Sequence, residues 1–115
     1  MFDDVTSTAV QVALAGLSQR QRVIADNIAN VQTPGYRAGV VSFESALRDA
    51  VSAGTPGDAV PSQARSLEPT RTDGNNVNLD HETLSNVDTG LRYQLMLHAM
   101  DAKLMLVHDA VRGGA

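Results

Sequence analysis

Apolar residues recur at helical spacing at both ends of the chain and lose that spacing in the middle. Between residues 3 and 31, Val10, Leu14, Leu17, Ile24, Ile28 and Val31 are separated by four, three, seven, four and three positions. That is a heptad seam with Gln21 in its one vacant slot, and it predicts a long first helix. Asp3 and Asp4 stand where a helix N-terminus favours negative charge. Gly16 is the one helix-weakening residue inside. A second long helix is predicted from residue 80 to 112. There Leu97, Met100, Leu104, Val107 and Val111 keep a three–four spacing, while Leu84, Val87 and Leu91 keep it in another register. The registers meet between Tyr93 and Leu97, near Gly90. This predicts a stutter, with a bend or a close approach at the glycine. Asp80 with Thr83, or Asn78, is placed to cap the start, and Gly113-Gly114 to stop the helix.

The middle is punctuated by Pro34, Gly35, Gly39, Gly54, Pro56, Gly57, Pro61, Pro69 and Gly74. Val40 to Val51 can carry a short helix whose apolar face is Phe43, Leu47, Ala50 and Val51. Residues 52–66 are small, polar and rich in Pro and Gly, which predicts a mobile loop. Val77 and Leu79 predict a brief extended segment. The expected fold is all-α: long N- and C-terminal helices packed as an antiparallel, coiled-coil-like pair around an irregular, partly flexible middle. The parts are 1–31, 32–79 and 80–115, within one domain. Each helix has one apolar stripe to bury against the other. Val5, Val12, Val23, Leu95, Met96, Met105 and Leu106 lie off those stripes and are expected to pack on other subunits. Such a chain is expected to be partly disordered alone and to fold on assembly; the alternative is a self-contained helical bundle with those residues in its own core.

Composition narrows the chemistry. With 115 residues, 43% of them hydrophobic, the chain suits one small domain. Phe2, Phe43, Tyr36 and Tyr93 are its only aromatics, so the core must be aliphatic and rich in Ala. A net charge of −4 argues against nucleic acid, which demands a surplus of Lys and Arg. Lys103 is the sole lysine, so there is no polybasic membrane patch. No apolar run is long enough for a membrane span. The absence of Cys excludes disulfides, zinc–thiolate sites and thiol catalysis. The acidic start, Met1-Phe2-Asp3-Asp4, does not read as a secretory leader. His81, His98 and His108 are too far apart in sequence for a local metal site, and His98 with Asp101 makes an ordinary solvated helix pair. Nothing resembles a nucleophile turn or a phosphate loop. No enzyme activity, cofactor or metal is expected.

The first helix ends in Ala25-Asp26-Asn27-Ile28-Ala29-Asn30-Val31-Gln32-Thr33-Pro34-Gly35-Tyr36. Asn27 and Asn30 are poor inside a helix and good at its end. Pro34-Gly35 supplies a turn, with Pro presetting φ and Gly accepting a positive φ. The string Asn27-Ile28-Ala29-Asn30, then Thr33-Pro34-Gly35-Tyr36, resembles the signature of the flagellar rod and hook axial proteins. A second string, Asp73-Gly74-Asn75-Asn76-Val77-Asn78-Leu79-Asp80-His81-Glu82, is similar to the segment ahead of the C-terminal helix in one proximal-rod branch of that family. Its sister branch carries a Pro-Asn-Val type of string there. Leu91-Arg92-Tyr93-Gln94 is similar to the same branch's C-terminal helix. The middle is short for the family, and Gly90 replaces a more usual small polar residue.

The resemblance implies a structural subunit of the proximal basal-body rod, built helically through its terminal helices into a hollow drive shaft. Val10, Leu14, Leu17, Ile24, Ile28, Val31, Leu91, Leu97, Met100, Leu104, Val107 and Val111 would form the assembly seam. It also implies partners: copies of itself, other rod subunits, the basal adaptor between rod and membrane ring, and the flagellar type III export apparatus. The expected location is the periplasmic rod of the basal body, reached without a cleaved signal peptide. Phe43-Glu44-Ser45-Ala46-Leu47 is similar to the export element of this class, a role to weigh against simple i,i+4 packing of Phe43 on Leu47. Arg20 and Arg22 are expected to face acids such as Asp88, Asp101 or Asp109 of neighbouring chains. A small helical adaptor or export chaperone is the alternative outside the family, and another rod subunit the alternative within it.

Overall fold

A computed structural model describes residues 4–113 of the chain. Helix α1 (Val5–Ala29) is followed by strand β1 (Gly39–Ser42), helix α2 (Glu44–Ser52), one 3-10 turn (Pro56–Asp58), strand β2 (Ser62–Arg65) and helix α3 (Leu79–Gly113). α1 and α3 run antiparallel. Asp4, ahead of α1, meets Lys103 near the far end of α3, and Asn30, behind α1, meets Asn75 just ahead of α3. The molecule measures 68 × 26 × 14 Å, with a radius of gyration of 17.9 Å. A compact chain of this length would have about 13 Å. The smallest dimension is little more than one helix diameter. No second layer covers the pair, so both long helices keep an open face.

Polar caps set the helix ends. The Asp4 carboxylate accepts the Ser7 N–H at 2.7 Å at the start of α1. Asp3, the other acid expected there, and Gly114, expected in the stop, lie outside the described residues. Asn78 decides the start of α3: its side-chain oxygen accepts the His81 N–H at 3.1 Å. The helix then runs unbroken for 35 residues, about 52 Å. It passes through Gly90, where nothing lies within 4 Å of the place a Cβ would take. The shift of register seen in the sequence therefore produces neither a break nor a close approach within the chain.

The middle segment differs from the expectation. Val40 and Val41 are in a strand, and the short helix begins only at Glu44. β1 pairs antiparallel with β2, Gly39 opposite Arg65 and Ser42 opposite Ser62. The stretch expected as a mobile loop thus contains a buried Pro56 in its 3-10 turn and a paired strand. The reason is physical: β2 reads Ser-Gln-Ala-Arg, is exposed along its whole length, and is held by backbone pairing and polar side-chain contacts. It has no apolar alternation to reveal it. Val77 is 1% exposed but lies outside any strand, and Leu79 is the first residue of α3.

The core is small. Ala13, Leu17, Val23, Val41 and Phe43 form it, with Leu47, Tyr93 and Met96 packed around. Val23 and Met96, expected to face neighbours, are spent here. The Phe43 ring lies directly on α1 at Gly16. A Cβ on that glycine would stand 2.6 Å from the ring carbons, so only glycine lets α2 approach this closely.

Candidate functional site

The end of α1, the turn after it, β1 and the segment ahead of α3 converge on three buried asparagines. The Asn27 side chain donates to the Gly39 carbonyl at 3.0 Å and accepts the Gly39 N–H at 2.8 Å. Asn75 donates to the carbonyls of Asn30 and Thr33 at 2.8 and 2.9 Å, and its oxygen accepts the Val77 N–H at 2.7 Å. Asn76 accepts the Ala38 N–H at 2.7 Å and donates to the carbonyls of Ser66 and Glu68, both at 3.1 Å. Each amide stands in for a peptide group and satisfies backbone that has no ladder or helix partner. Arg71 ties the same knot, donating to the carbonyls of Val31 and Val77.

The two strings singled out in the sequence therefore pack on each other. The Gly35 N–H donates to the Asp73 carbonyl at 2.8 Å. Gly74 takes φ +84°, and a Cβ there would fall 3.3 Å from the Gly35 Cα. The Thr33 hydroxyl donates to Asn30 Oδ1 at 3.0 Å, and the Tyr36 hydroxyl reaches Asn27 Oδ1 at 3.4 Å. The Asp73 carboxylate accepts the Asn75 N–H at 3.0 Å. Ala29, Pro34, Leu79 and Asp80 are exposed, Ile28 is half-buried, and Val77 and Glu82 are buried. Sequence spacing named both strings but gave no sign that they meet, nor any sign of Arg71.

A second cluster fixes α2. Arg20 makes a two-pronged ion pair with Glu44, at 2.6 and 2.7 Å. It also donates to the Val41 carbonyl at 2.8 Å and lies over the Phe43 ring, 5.0 Å from its centre. This corrects the expectation that Arg20 faces a neighbouring chain. Arg22 is exposed, bonded only to the Ser18 hydroxyl on its own helix, and Asp88 pairs with Arg92 one turn along α3 at 2.9 Å. Phe43 is 4% exposed and Leu47 is half-buried beside it, so the suggested export element is packed in the folded chain.

The Arg20 guanidinium holds the Glu44 carboxyl down to about 2. Lys103 and the Ser7 N–H hold Asp4 down to about 2 as well. Both carboxylates are more acidic folded than unfolded. Their stabilisation is complete above pH about 4.5, the ordinary glutamate value, and is lost as pH falls toward 2. Helix content followed by circular dichroism should decline across that window. Glu44→Gln should melt earlier at neutral pH and show a flatter acid limb.

On α3 the covered line is not the expected seam. The covered positions are Glu82, Ser85, Thr89, Tyr93, Met96, Met100, Lys103 and Val107, spaced three or four apart. Of the expected seam residues, Met100 and Val107 belong to this line. Leu91, Leu97, Leu104 and Val111 are 63, 41, 43 and 68% exposed. Polar Glu82, Ser85 and Thr89 hide the true line from an apolar search. On α1, Leu17 and Ile24 are buried, while Val10, Leu14 and Ile28, and Val31 just beyond the helix, are half-buried. An apolar groove opens along α1 between α2 and α3, floored by Ala13 and walled by Leu47, Val51 and Met96. It continues toward Leu17 and Leu95. Among the described residues no three His, Asp or Glu side chains are placed to hold a metal, and no helix is long and apolar enough to cross a membrane.

This arrangement is that of an elongated helical building block: a rigid polar junction at one end and bare apolar helix faces along its length. Residues 10–37, which contain the first string, match the family described as "Flagella basal body rod protein". The chain is 31% identical to the flagellar basal body rod protein FlgB of Escherichia coli over 125 aligned positions, which span 90% of this chain and 91% of that protein. It is 32% identical to FlgB of Salmonella typhimurium, with the same coverage. It is 30% identical to FlgB of Bacillus subtilis, with 89% of each chain covered. The chain belongs to the flagellar basal body rod protein family, and within it to the FlgB type. It is a structural subunit of the basal-body rod and not an enzyme.

Proposed function

We propose that this subunit belongs to the proximal part of the rod and assembles helically, through α1 and α3, into a hollow shaft. The shaft transmits torque and conducts exported subunits through the periplasm. The observation that carries this reading is the two-sidedness of α3. One side covers α1, while the opposite side carries Leu84, Val87, Leu91 and Leu95, which are 57–71% exposed. A monomer has no use for a second apolar side. Head-to-tail contacts that do not close give a helical array, and many small packed contacts give it stiffness. The proposed neighbours are copies of the same chain, other rod subunits, and the basal adaptor between rod and membrane ring. The proposed route is the flagellar type III export apparatus. Phe43-Glu44-Ser45-Ala46-Leu47 is read there before folding, since packing hides Phe43 afterwards.

The double variant Leu84→Glu/Leu91→Glu tests the assembly. Glutamate keeps the helix and neither leucine touches the core, so the purified chain should keep its circular dichroism spectrum. Each contact would lose about 1.5–3 kcal/mol per leucine and gain a charge to bury. Basal bodies isolated from the variant strain should lack a rod. Complete rods would refute the assignment of this face.

A further inference from the structure

Glu82 is 5% exposed, yet among the described residues its carboxylate has no hydrogen-bond or ionic partner. Its oxygens are not sealed from solvent, unlike the Ser7 and Thr89 hydroxyls, so the side chain is covered along its stem and open at its charged tip. Glu82 lines a cleft of 460 Å³ together with Glu68, Asn76, His81, Val40 and Pro69. The walls of the cleft are set by bonds already described: Asn76 holds the backbone of Ala38, Ser66 and Glu68, and Asn78 holds the first turn of α3. Those bonds occupy the Asn76 amide. What stays unspent is the Glu82 carboxylate within, with Glu68 and the His81 imidazole also lining the cleft, beside an apolar wall of Val40 and Pro69.

We infer that this cleft receives an arginine side chain from a neighbouring rod subunit, an assignment that rests on the assembly reading above. An arginine fits both halves of the cleft. Its three methylenes lie on Val40 and Pro69, and its planar fork satisfies a carboxylate through two parallel bonds. A metal ion fits poorly, since Glu68, His81 and Glu82 line the cleft without converging as a ligand set. Lysine is excluded for a second copy of this chain, because Lys103 is its only one and is paired with Asp4. The positive end of the α3 dipole, which would oppose a cation, is offset by Asp80 and Glu82 in the first turn.

Glu82→Gln separates this role from an internal one. The purified variant should melt at or slightly above the wild-type temperature, because the carboxylate has no partner within the chain and the amide fits the same space. N-acetyl-arginine amide, titrated into the wild-type chain, should shift the backbone amide signals of Ala38, Asn76 and Glu82 saturably, with millimolar affinity. Glu82→Gln should weaken that binding at least about tenfold, and the variant strain should form fewer rods. A clearly lowered melt would assign Glu82 to the chain's own stability and overturn the proposal. So would the absence of saturable shifts, or normal rods in the variant strain. If Glu82→Gln assembles normally while Leu84→Glu/Leu91→Glu does not, only the cleft assignment falls. If both assemble normally, the assembly reading falls with it.

Discussion

Asn27→Ala should cost the folded chain about 2–5 kcal/mol, whereas Asn30→Ala, three residues on in the same string, should cost about 1 kcal/mol. The difference lies in what each amide leaves behind. Asn27 is 1% exposed and serves both the N–H and the carbonyl of Gly39. Gly39 opens β1, and its backbone groups face α1, where water cannot replace the lost partner. Each orphaned group costs about 1–3 kcal/mol. Asn30 caps α1 at the surface. Its side chain donates to the Asp26 carbonyl at 2.8 Å, a group that water can serve once the amide is gone. Asn27→Asp should be nearly as damaging as Asn27→Ala. It keeps the acceptor for the Gly39 N–H but sets a second oxygen against the Gly39 carbonyl and buries a charge. Urea titrations followed by circular dichroism would rank the three. Equal midpoints for the variants at 27 and 30 would refute the account of the junction. Against a total stability of about 5–15 kcal/mol for a typical domain, the Asn27 loss is large enough to melt the connection between α1 and β1.

The ranking also shows how far the chain can be read without coordinates. Both long helices are legible because Val10, Leu14, Leu17, Ile24 and Ile28, and again Met100 and Val107, repeat at helical spacing. Spacing reports that a helix has an apolar side; it does not report which neighbour covers it. On α3 this separation fails, because Ser85 and Thr89 fill the covered line while leucines fill the face away from it. Small side chains suit a close antiparallel contact, and nothing in a single sequence distinguishes them from a solvated stripe. β2 escapes for a related reason: Ser62 to Arg65 has four exposed side chains and is a strand only because Gly39 to Ser42 offers it backbone partners. The polar junction is legible as two unusual strings but not as one object. Asn75 donates to carbonyls 42 and 45 positions away and Asn76 bonds backbone groups 8–38 positions away, and hydrogen bonds to backbone leave no complementary side chain to find. The pairing of Arg20 escapes for the opposite reason. A charged residue on a helix is usually solvated, and its true partner, Glu44, sits in a segment whose helix begins three residues later than Val41, the strand residue it also grips.

Gly16→Val should abolish folding while leaving export intact, and Phe43→Ala should abolish both. The two variants attack one contact from opposite sides. A valine at 16 would put its Cβ 2.6 Å from the Phe43 ring, with two further methyl groups beyond. The ring cannot yield easily, since the Arg20 guanidinium also lies over it and it is packed in one cluster with Val41 and Leu17. Overpacking of this kind costs about 1–3 kcal/mol or more, and β-branching adds a little against the helix. α2 would lift from α1, and the Arg20–Glu44 pair would part with it. The residues from Phe43 to Leu47 stay unchanged, however, so a reader that meets the unfolded chain would find its element whole. Phe43→Ala removes about 3–5 kcal/mol of core packing and the aromatic group itself. Quantifying each variant in the periplasm or culture medium, beside its melting curve, therefore separates packing from recognition. If Gly16→Val is retained in the cell as strongly as Phe43→Ala, the fold matters to export and the element does not act in the unfolded chain. If Phe43→Ala is exported at the wild-type rate, Phe43 serves only the contact with Gly16, and the resemblance of residues 43–47 to an export element is a consequence of helix packing.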